Sequence, residues 1–504
     1  MEIIPSQIIG YRNVQSNGEI FHGYDPYSGK PLSPAFREAT KTEINESTVL
    51  ANSAFALYRK TSSAQRSLFL ETIASNIEAL GDDLLKIINE ETALPLTRLT
   101  GERGRTIGQL RLFAQLLLDG KWNKEIVDEP LPDRKPVARP GLIQMQVPIG
   151  VVAVFGASNF PLAFSVAGGD TVSALASGCP VVFKAHPAHP ATCQLIGNAI
   201  AKAAKETGMP DGTFSMLHGL SNEVGGALAT HPLIKAVAFT GSFKGGKALY
   251  DLAARRPEPI PVYAEMGSVN PVFFLPEAVT LGAKSLALQF AQSVTMGSGQ
   301  FCTNPGFCIL INNEDSKLFI QHVADGLSAT PIHPLLTKGI TDAYKSGLEK
   351  QHKMSGASIL TITVETDIKP SIITVSAKNL MQNPDYFEEV FGPSTVAVLA
   401  DSYDEMFRLA EVMPGQLTGT IHAAENDYAI ARGLIELLTQ KVGRVIMNGF
   451  PTGVEVCHAM VHGGPYPATT DSRVTSVGTG SIYRFTRPVC YQNIPHSLLP
   501  VSNV

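Results

Sequence analysis

The chain has 504 residues, of which 44% are hydrophobic and 17% are charged, and its formal net charge is −5. This composition is typical of a globular protein, and the length allows more than one hydrophobic core. The sequence has no basic stretch of the kind that binds nucleic acid or a membrane surface, its apolar runs are too short to span a bilayer, and its first residues do not resemble a signal peptide.

The cysteines are widely scattered and form no CxxC pair. This distribution favours a reduced, cytoplasmic setting over a disulfide framework, and it predicts no metal site. The six positions are Cys179, Cys193, Cys302, Cys308, Cys457 and Cys490.

Apolar residues at helical spacing predict helices over 47–59 and 64–90, and together they predict a helical N-terminal region. The segment 131–146 is rich in Pro, Arg and Lys and reads as a linker that leads into an exposed strand. From Gly150 onward the pattern becomes a series of strand–helix units, with helices over 167–177 and 191–207. The predicted strands between these helices read VVAVFGA, VVFKA, SMLHG and KAVAFTG.

A second region of the same type begins near Pro271, and the tail from Val474 has strand character without helix signals. Short apolar strands that alternate with helices are typical of a parallel sheet covered on both faces. The sequence therefore predicts an α/β fold.

The glycine-rich segment 238–256 joins a strand to a helix, and its turn contains Gly241, Ser242 and Gly246. Free amides at such a helix start suit a phosphate group, although tight strand–helix packing explains the glycines equally well. The sequence of this segment nearly matches the motif of an ATP-binding P-loop, but Ala248 occupies the position where that motif requires a hydroxyl residue to bind Mg²⁺. The segment is therefore not interpreted as an ATPase site.

The loop 296–308, MGSGQFCTNPGFC, surrounds Cys302 with turn-forming residues. A structural cysteine is expected in an apolar run, whereas turns more often carry reactive side chains. An ionisable thiol here predicts an enzyme that works by covalent catalysis.

Six strings occur in an order and at a spacing that resemble the aldehyde dehydrogenase superfamily. The resemblance runs from about Gly150 to Pro467, and it implies a Rossmann-like cofactor domain, a catalytic α/β domain and oxidation of an aldehyde to an acid. The strings are GASNFPLAF (156–164), VVFKAHPAHP (181–190), FTGS (239–242), AEMGSVNP (264–271), GQFCTNPG (299–306) and EEVFGP (388–393).

The resemblance assigns a catalytic role to three residues. Cys302 matches the family nucleophile, whose adduct with the aldehyde is a thiohemiacetal. The side-chain amide of Asn159, with the backbone N–H of Cys302, would stabilise the oxyanion, and Glu265 would activate the water that hydrolyses the thioester. On its own, an Asn before Phe-Pro is usually a turn former, and a Glu at a strand end is usually solvated.

The resemblance also implies a dinucleotide site. Lys184 matches a lysine that binds ribose hydroxyls, Ser242 would contact the pyrophosphate beside Gly241 and Gly246, and Glu389 would hold the nicotinamide ribose next to Phe391. Members that prefer NAD carry a Glu three residues after the lysine, where this chain has Pro187. Without that carboxylate a 2′-phosphate meets no repulsion and His186 or Lys184 could assist it, so we expect NADP to be preferred and NAD also to be used.

Departures from the usual motifs of the family indicate which of its subgroups the chain resembles. Ser158 replaces a Trp, the string EMGSV replaces ELGGK, and His462 replaces an aromatic residue. These spellings resemble 2-oxoglutarate semialdehyde dehydrogenases, which act in sugar-acid breakdown, and bacterial fatty-aldehyde dehydrogenases. His462 is expected either to help ionise Cys302 or only to line the aldehyde pocket, and His458 is a weaker candidate. Cys308 and Cys457 are interpreted as packing residues.

The best substrate hypothesis is 2-oxoglutarate semialdehyde, and medium- or long-chain aldehydes are the alternative. The first needs a cation at the pocket mouth, for which Arg473 is a guess, and the second needs an apolar tunnel, for which Phe160, Leu162 and Phe164 are candidates. A thiol esterase that uses Cys302 and Glu265, and a non-catalytic binding protein, stay open as other classes.

The predicted domains are a cofactor domain over 1–127 and 149–267 and a catalytic domain over 268–465. The segments 128–148 and 474–504 resemble oligomerisation segments of the family. An unpaired edge strand is best covered by a partner, so a homodimer or homotetramer is expected. The other partner is a small aldehyde, and neither nucleic acid nor a membrane is expected.

Overall fold

A computed structural model describes residues 2–360 and 368–499 of the chain. Helices and parallel strands alternate through most of these residues, which confirms the predicted α/β class. Within the described ranges, no helix combines the length and apolar character needed to cross a bilayer.

The helices pack on both sides of the larger sheets. Within the described ranges they are α1 (Lys41–Tyr58), α2 (Ser63–Ala79), α3 (Gly81–Thr92), α4 (Leu96–Leu118), α5 (Gly169–Ser177), α6 (Pro190–Glu206), α7 (Asn222–Thr230), α8 (Phe243–Ala254), α9 (Pro276–Thr295), α10 (Glu314–Ala329), α11 (Lys338–His352), α12 (Ala377–Met381), α13 (Tyr403–Val412) and α14 (Tyr428–Leu438).

The strands are short, and those at the sheet centres are buried. In chain order they are β1 (Gln7–Ile9), β2 (Arg12–Val14), β3 (Ile20–Phe21), β4 (Phe36–Arg37), β5 (Ile126–Asp128), β6 (Leu142–Pro148), β7 (Val151–Phe155), β8 (Val181–Lys184), β9 (Phe214–Leu217), β10 (Ile234–Thr240), β11 (Val262–Glu265), β12 (Val272–Phe274), β13 (Phe307–Ile311), β14 (Ser358–Ile359), β15 (Ser371–Ser376), β16 (Ser394–Ala400), β17 (Gln416–His422), β18 (Val442–Met447) and β19 (Thr486–Gln492).

The first sheet has the order β11-β10-β7-β8-β9-β1-β2, and its strands from β7 to β11 run parallel. Its strands at β7 to β10 agree with the four predicted strands. Alternate residues of β7 face two different cores, because Val152 and Val154 pack in one cluster and Val151 and Ala153 in another. This sheet is therefore covered on both faces, as its continuous apolar strands predict.

The second sheet has the order β14-β15-β16-β13-β12-β17-β18 and is mostly parallel. It begins at Val272, close to the point where the sequence predicts a second α/β region. Its carboxyl edge and that of the first sheet supply most of the loops that form the site described below. The exact domain bounds stay a prediction.

A third, antiparallel sheet has the order β19-β6-β5. The chain end pairs with the middle of the chain here, from Thr486 opposite Pro148 to Gln492 opposite Leu142. The edge strand β5 exposes Ile126 and Val127, which leaves an apolar edge of the kind expected for an oligomerisation segment. Residues 500–504 of the predicted second segment lie outside the described residues.

Three local predictions were wrong. The single helix over 64–90 is two helices, α2 and α3, because Gly81 adopts φ of +62° between them. The N-terminal region is not only helical, since β1 pairs antiparallel with β9 and extends the first sheet. The tail contains a 3₁₀ helix at Thr479–Phe485 before β19, although no helix signal was found there.

Candidate active site

The loop before Cys302 depends on glycine at two positions. Gly297 and Gly299 have φ of +56° and +69°, a region that residues with a Cβ seldom adopt. A Cβ on Gly299 would lie 2.2 Å from the carbonyl carbon of Gly392, so the loop packs directly on the segment that contains EEVFGP. The side-chain amide of Asn270 then donates to the carbonyl of Cys302 at 2.8 Å and holds the loop from below.

The structure brings Cys302, Glu265 and His462 together at the end of β11. The Sγ of Cys302 lies 3.4 Å from Nε2 of His462, and the same Nε2 lies 2.9 Å from Oε1 of Glu265. Glu265 and His462 are 3% and 1% exposed, whereas Cys302 is only half-buried. A thiol, an imidazole and a carboxylate therefore lie in contact, and the cysteine is the most accessible residue of the three.

The loop 475–477 fixes the carboxylate and the imidazole. The Oγ of Ser476 donates to Oε2 of Glu265, and the backbone N–H of Ser476 donates to the carbonyl of His462 at 2.9 Å. The Oγ1 of Thr475 accepts from the backbone N–H of His462, also at 2.9 Å. Sequence reasoning missed both hydroxyl residues, because their spacings of 13 and 14 residues from His462 match no motif.

The environment raises the pKa of the thiol and lowers that of the carboxyl. Burial raises the pKa of Cys302 well above its ordinary value, and the negative charges of Glu265 and Glu389 add to the rise. Burial also acts to raise the pKa of Glu265, but His462 and the hydrogen bonds from His462, Ser476 and Cys302 together lower it. In this state the proton belongs to the sulfur and the carboxylate is ionised.

The hydrogen bonds of His462 favour one tautomer. Its Nδ1 is buried and has no hydrogen-bond partner among the described residues, while its Nε2 faces a carboxylate oxygen. A proton on Nε2 satisfies the carboxylate and leaves only an acceptor unpaired, whereas a proton on Nδ1 would leave a buried donor unpaired. His462 is therefore assigned as an Nε2–H donor that lies within reach of both Glu265 and Cys302.

Asn159 lies on the other side of the catalytic loop. Its Nδ2 donates to the carbonyl of Gln300 at 3.0 Å, and the side chain is 8% exposed. An amide nitrogen carries two hydrogens, so a second donor remains for a ligand at the sulfur. The carbonyl of Asn159 accepts from Nη2 of Arg98 at 2.6 Å, which fixes the residue from behind.

The predicted dinucleotide residues lie at the carboxyl edge of the first sheet. Lys184 ends β8 and donates from Nζ to the carbonyl of Gly219 at 2.5 Å. Burial lowers the pKa of Lys184 to about 8, although Cys193 and Glu38 act in the opposite direction. Gly241 and Ser242 follow β10 and are exposed, and the Oγ of Ser242 caps α8 by accepting from the amide of Gly245 at 3.2 Å.

His186 and Gly246 lie near this edge, but their surroundings do not favour the cofactor contacts expected from the sequence. Burial lowers the pKa of His186 well below its ordinary value, helped by His189 and Lys184, so the ring is neutral and brings no positive charge to a phosphate. Gly246 is buried, and a Cβ there would lie 2.7 Å from Cγ of Met266, so helix–strand packing explains this glycine. Pro187 is half-buried between these elements.

Glu389 lies at the junction of the two sheets. Burial raises the pKa of its carboxyl to about 8, a backbone hydrogen bond with Ser268 offsets part of the rise, and Glu265 adds to it. A Cβ on Gly267 would lie 2.5 Å from Oε2 of Glu389, so only glycine leaves room for this carboxyl. Phe391 follows it and is half-buried. A half-buried carboxyl that has no ion-pair partner among the described residues suits ligand hydroxyl groups, as a dinucleotide ribose would provide.

Several residues considered from the sequence lie away from the cluster. Arg473 is exposed and forms a two-point ion pair with Asp471, with bonds of 2.9 and 2.7 Å. The exposed His458 contacts the hydroxyl of Thr479 at 3.0 Å instead. Leu162 is fully buried in the main core of the first sheet, apart from the cluster that holds Phe160 and Phe164.

Phe160 and Phe164 do form part of an apolar cluster with Phe301, the residue before Cys302. Over them lie the guanidinium groups of Arg98 and Arg105 from α4, neither of which sequence reasoning selected. The signal that could have found them is their spacing, because Arg98 and Arg105 are seven residues apart and share one face of the helix.

Comparison with known proteins identifies the family. The model of the aldehyde dehydrogenase family matches residues 13–466. Alpha-ketoglutaric semialdehyde dehydrogenase 2 of Azospirillum brasilense is 46% identical, and the match covers 99% of this chain and 96% of that protein. Alpha-ketoglutaric semialdehyde dehydrogenase of Acinetobacter baylyi is 45% identical, with 98% and 94% covered.

Solved structures share the fold at lower identity. A 1-pyrroline-5-carboxylate dehydrogenase superposes with a TM-score of 0.83 at 20% identity, over 97% of this chain and 92% of that one. A betaine aldehyde dehydrogenase variant of Staphylococcus aureus, in complex with NAD+, superposes with a TM-score of 0.82 at 21% identity, over 98% and 99%.

Proposed function

The chain belongs to the aldehyde dehydrogenase family, and we propose that it oxidises alpha-ketoglutaric semialdehyde to 2-oxoglutarate with NAD(P). The observation that carries the reaction is the contact of the thiol of the half-buried Cys302 with a buried carboxylate–imidazole pair. The substrate is supported by the names of the two relatives that are 45–46% identical over nearly the whole chain.

Cys302 acts as the nucleophile. Its sulfur forms a bond to the aldehyde carbon, and its proton passes to the ionised carboxylate of Glu265. As that carboxylate is neutralised, the Nε2–H of His462 is free to turn from Oε1 to Sγ, which is 3.4 Å away. The imidazole thus stabilises the thiolate as a donor, and Glu265 is the base.

The oxyanion of the resulting thiohemiacetal is stabilised by Asn159. One hydrogen of its Nδ2 is held by Gln300, which fixes the direction of the other. The backbone N–H of Cys302 is proposed as the second donor. Fixed donors of this type stabilise charge as it develops because they need no reorganisation.

A dinucleotide would be held by Lys184, Ser242 and Glu389, with Phe391 beside its nicotinamide end. When bound, it supplies the hydride acceptor that leaves a thioester on Cys302. The residues fit such a group, because the amides at the start of α8 suit a phosphate and the Glu389 carboxyl suits ribose hydroxyls. We propose that NADP is preferred, since Pro187 places no carboxylate beside Lys184.

Hydrolysis of the thioester is assigned to Glu265. A cavity beside it is lined by polar side chains, and such a cavity suits an ordered water. The lining residues include Glu265, His462, Thr469, Thr470, Thr475 and Ser476. The proton that Glu265 took from Cys302 passes to solvent before this step, which restores the carboxylate. Because the hydroxyl of Ser476 holds Oε2, Oε1 is the oxygen that then takes a proton from water.

We also propose a homodimer or homotetramer and a reduced, cytoplasmic setting. The first rests on the exposed apolar edge at β5, and the second on six free cysteines. The reaction would then serve the last oxidation in sugar-acid breakdown.

The test is steady-state kinetics across alpha-ketoglutaric semialdehyde, glutaraldehyde, hexanal and a long-chain aldehyde with each cofactor. The first substrate should give the highest kcat/KM, and Cys302→Ala should lose turnover by about a thousandfold or more while it remains folded. A higher kcat/KM for the long-chain aldehyde would favour the alternative fatty-aldehyde function. Turnover retained by Cys302→Ala would refute the mechanism, and ester cleavage without cofactor as the main activity would indicate a thiol esterase.

A further inference from the structure

Helix α4 carries two arginines and a glutamate on one face beside the active site. Arg98, Glu102 and Arg105 follow each other at spacings of four and three residues, so they share that face. Oε1 of Glu102 already accepts from the backbone amides of Leu162 and Ala163, at 2.9 and 3.0 Å. The glutamate thus anchors the loop that follows Asn159 rather than serving as a full partner of either arginine.

Both guanidinium groups lie one aromatic ring away from the catalytic cluster. Arg98 lies over the ring of Phe301, 4.8 Å from its centroid, and Phe301 precedes Cys302. Arg105 lies 5.1 Å from the ring centroid of Phe164, which in turn lies 6.3 Å from the ring of His462.

The two cations retain unused hydrogen-bond donors. Among the described residues, Nη1 of Arg98 and Nε of Arg105 are buried without a hydrogen-bond partner. A buried donor left unpaired is costly, and a cation in an aromatic layer increases that cost. An arrangement of this kind is stable in a working enzyme when a ligand supplies the missing acceptor.

The two arginines differ in the hydrogen bonds that they already make to the active site. Arg98 uses Nη2 to bind the carbonyl of Asn159, so it is tied to the oxyanion residue. Arg105 has no such bond to the site among the described residues. Burial lowers the pKa of its guanidinium, and the nearby carboxylates of Glu102, Glu265 and the exposed Glu455 act in the opposite direction. Arg105 is therefore the cation best placed to meet a charged group that enters beside the sulfur.

We propose that Arg105, supported by Arg98, binds the carboxylate of the aldehyde substrate and thereby selects short acidic aldehydes over neutral ones. This inference rests on the proposed function and deepens it. The planar guanidinium suits a carboxylate because it offers parallel donors. The phenylalanine rings below it cover the carbon chain, so that the aldehyde end reaches Cys302 while the acid end remains on the cation.

The experiment compares alpha-ketoglutaric semialdehyde with pentanal, a neutral aldehyde of the same chain length, in wild type, Arg105→Gln and Arg105→Lys. Arg105→Gln should lower kcat/KM for the acidic aldehyde about 10- to 100-fold, mainly through KM, because a hydrogen bond to a charged group is lost. The value for pentanal should stay within about threefold. Arg105→Lys should restore part of the loss. The matched control is Arg111→Gln, which removes an exposed arginine of the same helix that pairs with Glu78.

An equal fall for both aldehydes in Arg105→Gln would indicate a structural role and overturn the inference, as would an unchanged preference. Competitive inhibition by glutarate separates this result from the fate of the proposed function. If wild type does not turn over the semialdehyde but glutarate inhibits oxidation of other aldehydes in an Arg105-dependent way, the acid site stands and the proposed substrate fails. If glutarate inhibits wild type and Arg105→Gln equally, the acid site is refuted whatever the substrate.

Discussion

Nε2 of His462 lies 2.9 Å from Oε1 of Glu265, and this same nitrogen is the one that faces the sulfur of Cys302. One donor is thus shared between two acceptors that exchange a proton during attack on the aldehyde. The arrangement assigns the imidazole to stabilisation of the thiolate and the carboxylate to proton transfer.

Replacing His462 should slow alkylation of Cys302. Burial, Glu265 and Glu389 raise the thiol pKa, so the wild-type rate of iodoacetamide modification should increase with pH above the ordinary thiol range. His462→Phe removes the donor that stabilises the thiolate, which raises the thiol pKa further, moves the profile to higher pH and lowers the rate at neutral pH. His462→Gln, which keeps an N–H donor, should restore part of the rate.

His458→Phe is the matched control, because that histidine is exposed and contacts Thr479 instead. A neutral-pH alkylation rate that does not change in His462→Phe would leave the imidazole as a pocket wall.

Replacing Glu265 by Gln should slow both halves of the reaction, because an amide can take a proton neither from the Cys302 thiol nor from water. Steady turnover should be about a hundredfold or more slower than wild type, and rapid mixing at neutral pH should show no fast burst of reduced cofactor. A full burst followed by slow turnover would show that another group takes the thiol proton.

Replacing Asn159 by Ala should lower kcat by about 10²- to 10³-fold with a small change in KM, because the amide acts on the oxyanion and not on the bound aldehyde. The hydrogen bond from Arg98 reaches the backbone carbonyl of Asn159, so the substitution leaves this support in place. Thermal melting should confirm the fold. A large rise in KM at constant kcat would contradict the oxyanion role.

The sequence and the structure agree where a short motif carries the geometry. Gly297 and Gly299 mark the loop that exposes Cys302, because only that backbone lets the loop pass against Gly392. The fold class followed in the same way from alternating strands and helices. The roles of Cys302, Glu265 and Asn159 remain predictions, although the first two side chains do lie together.

What the sequence could not provide is the set of contacts made across the chain. Arg105 belongs to a helix that was not predicted, and its aromatic partner Phe164 is nearly sixty residues away. From the sequence alone, Arg105 cannot be distinguished from a surface arginine whose charge is solvated. Ser476 was missed because an isolated hydroxyl becomes informative only when the fold brings it to Glu265.

Zn²⁺ should inhibit the enzyme reversibly. One ligand atom from each of Glu265, Cys302 and His462 lies within 4.8 Å of the others, and carboxylate, thiolate and imidazole are the ligands that zinc prefers. Micromolar Zn²⁺ should therefore slow alkylation of Cys302, EDTA should reverse the effect, and Mg²⁺ should have none. In His462→Phe the protection should weaken. Equal protection in that variant would place the ion elsewhere.

Replacing Pro187 by Glu should reverse the cofactor preference. The new carboxylate would stand three residues after Lys184, which has a pKa of about 8, is mostly protonated at neutral pH and, as a single cation, cannot offset both the carboxylate and a phosphate. His186 is neutral and gives no further compensation. A 2′-phosphate would then meet like-charge repulsion, whereas the ribose hydroxyl of NAD would gain an acceptor. We expect kcat/KM with NADP to fall about 10- to 100-fold and kcat/KM with NAD to stay the same or rise.

Pro187→Ala controls for loss of the proline ring alone and should change the ratio of the two kcat/KM values little. If wild type already shows a much higher kcat/KM with NAD, or if the Ala and Glu variants behave alike, charge at this position does not set the preference.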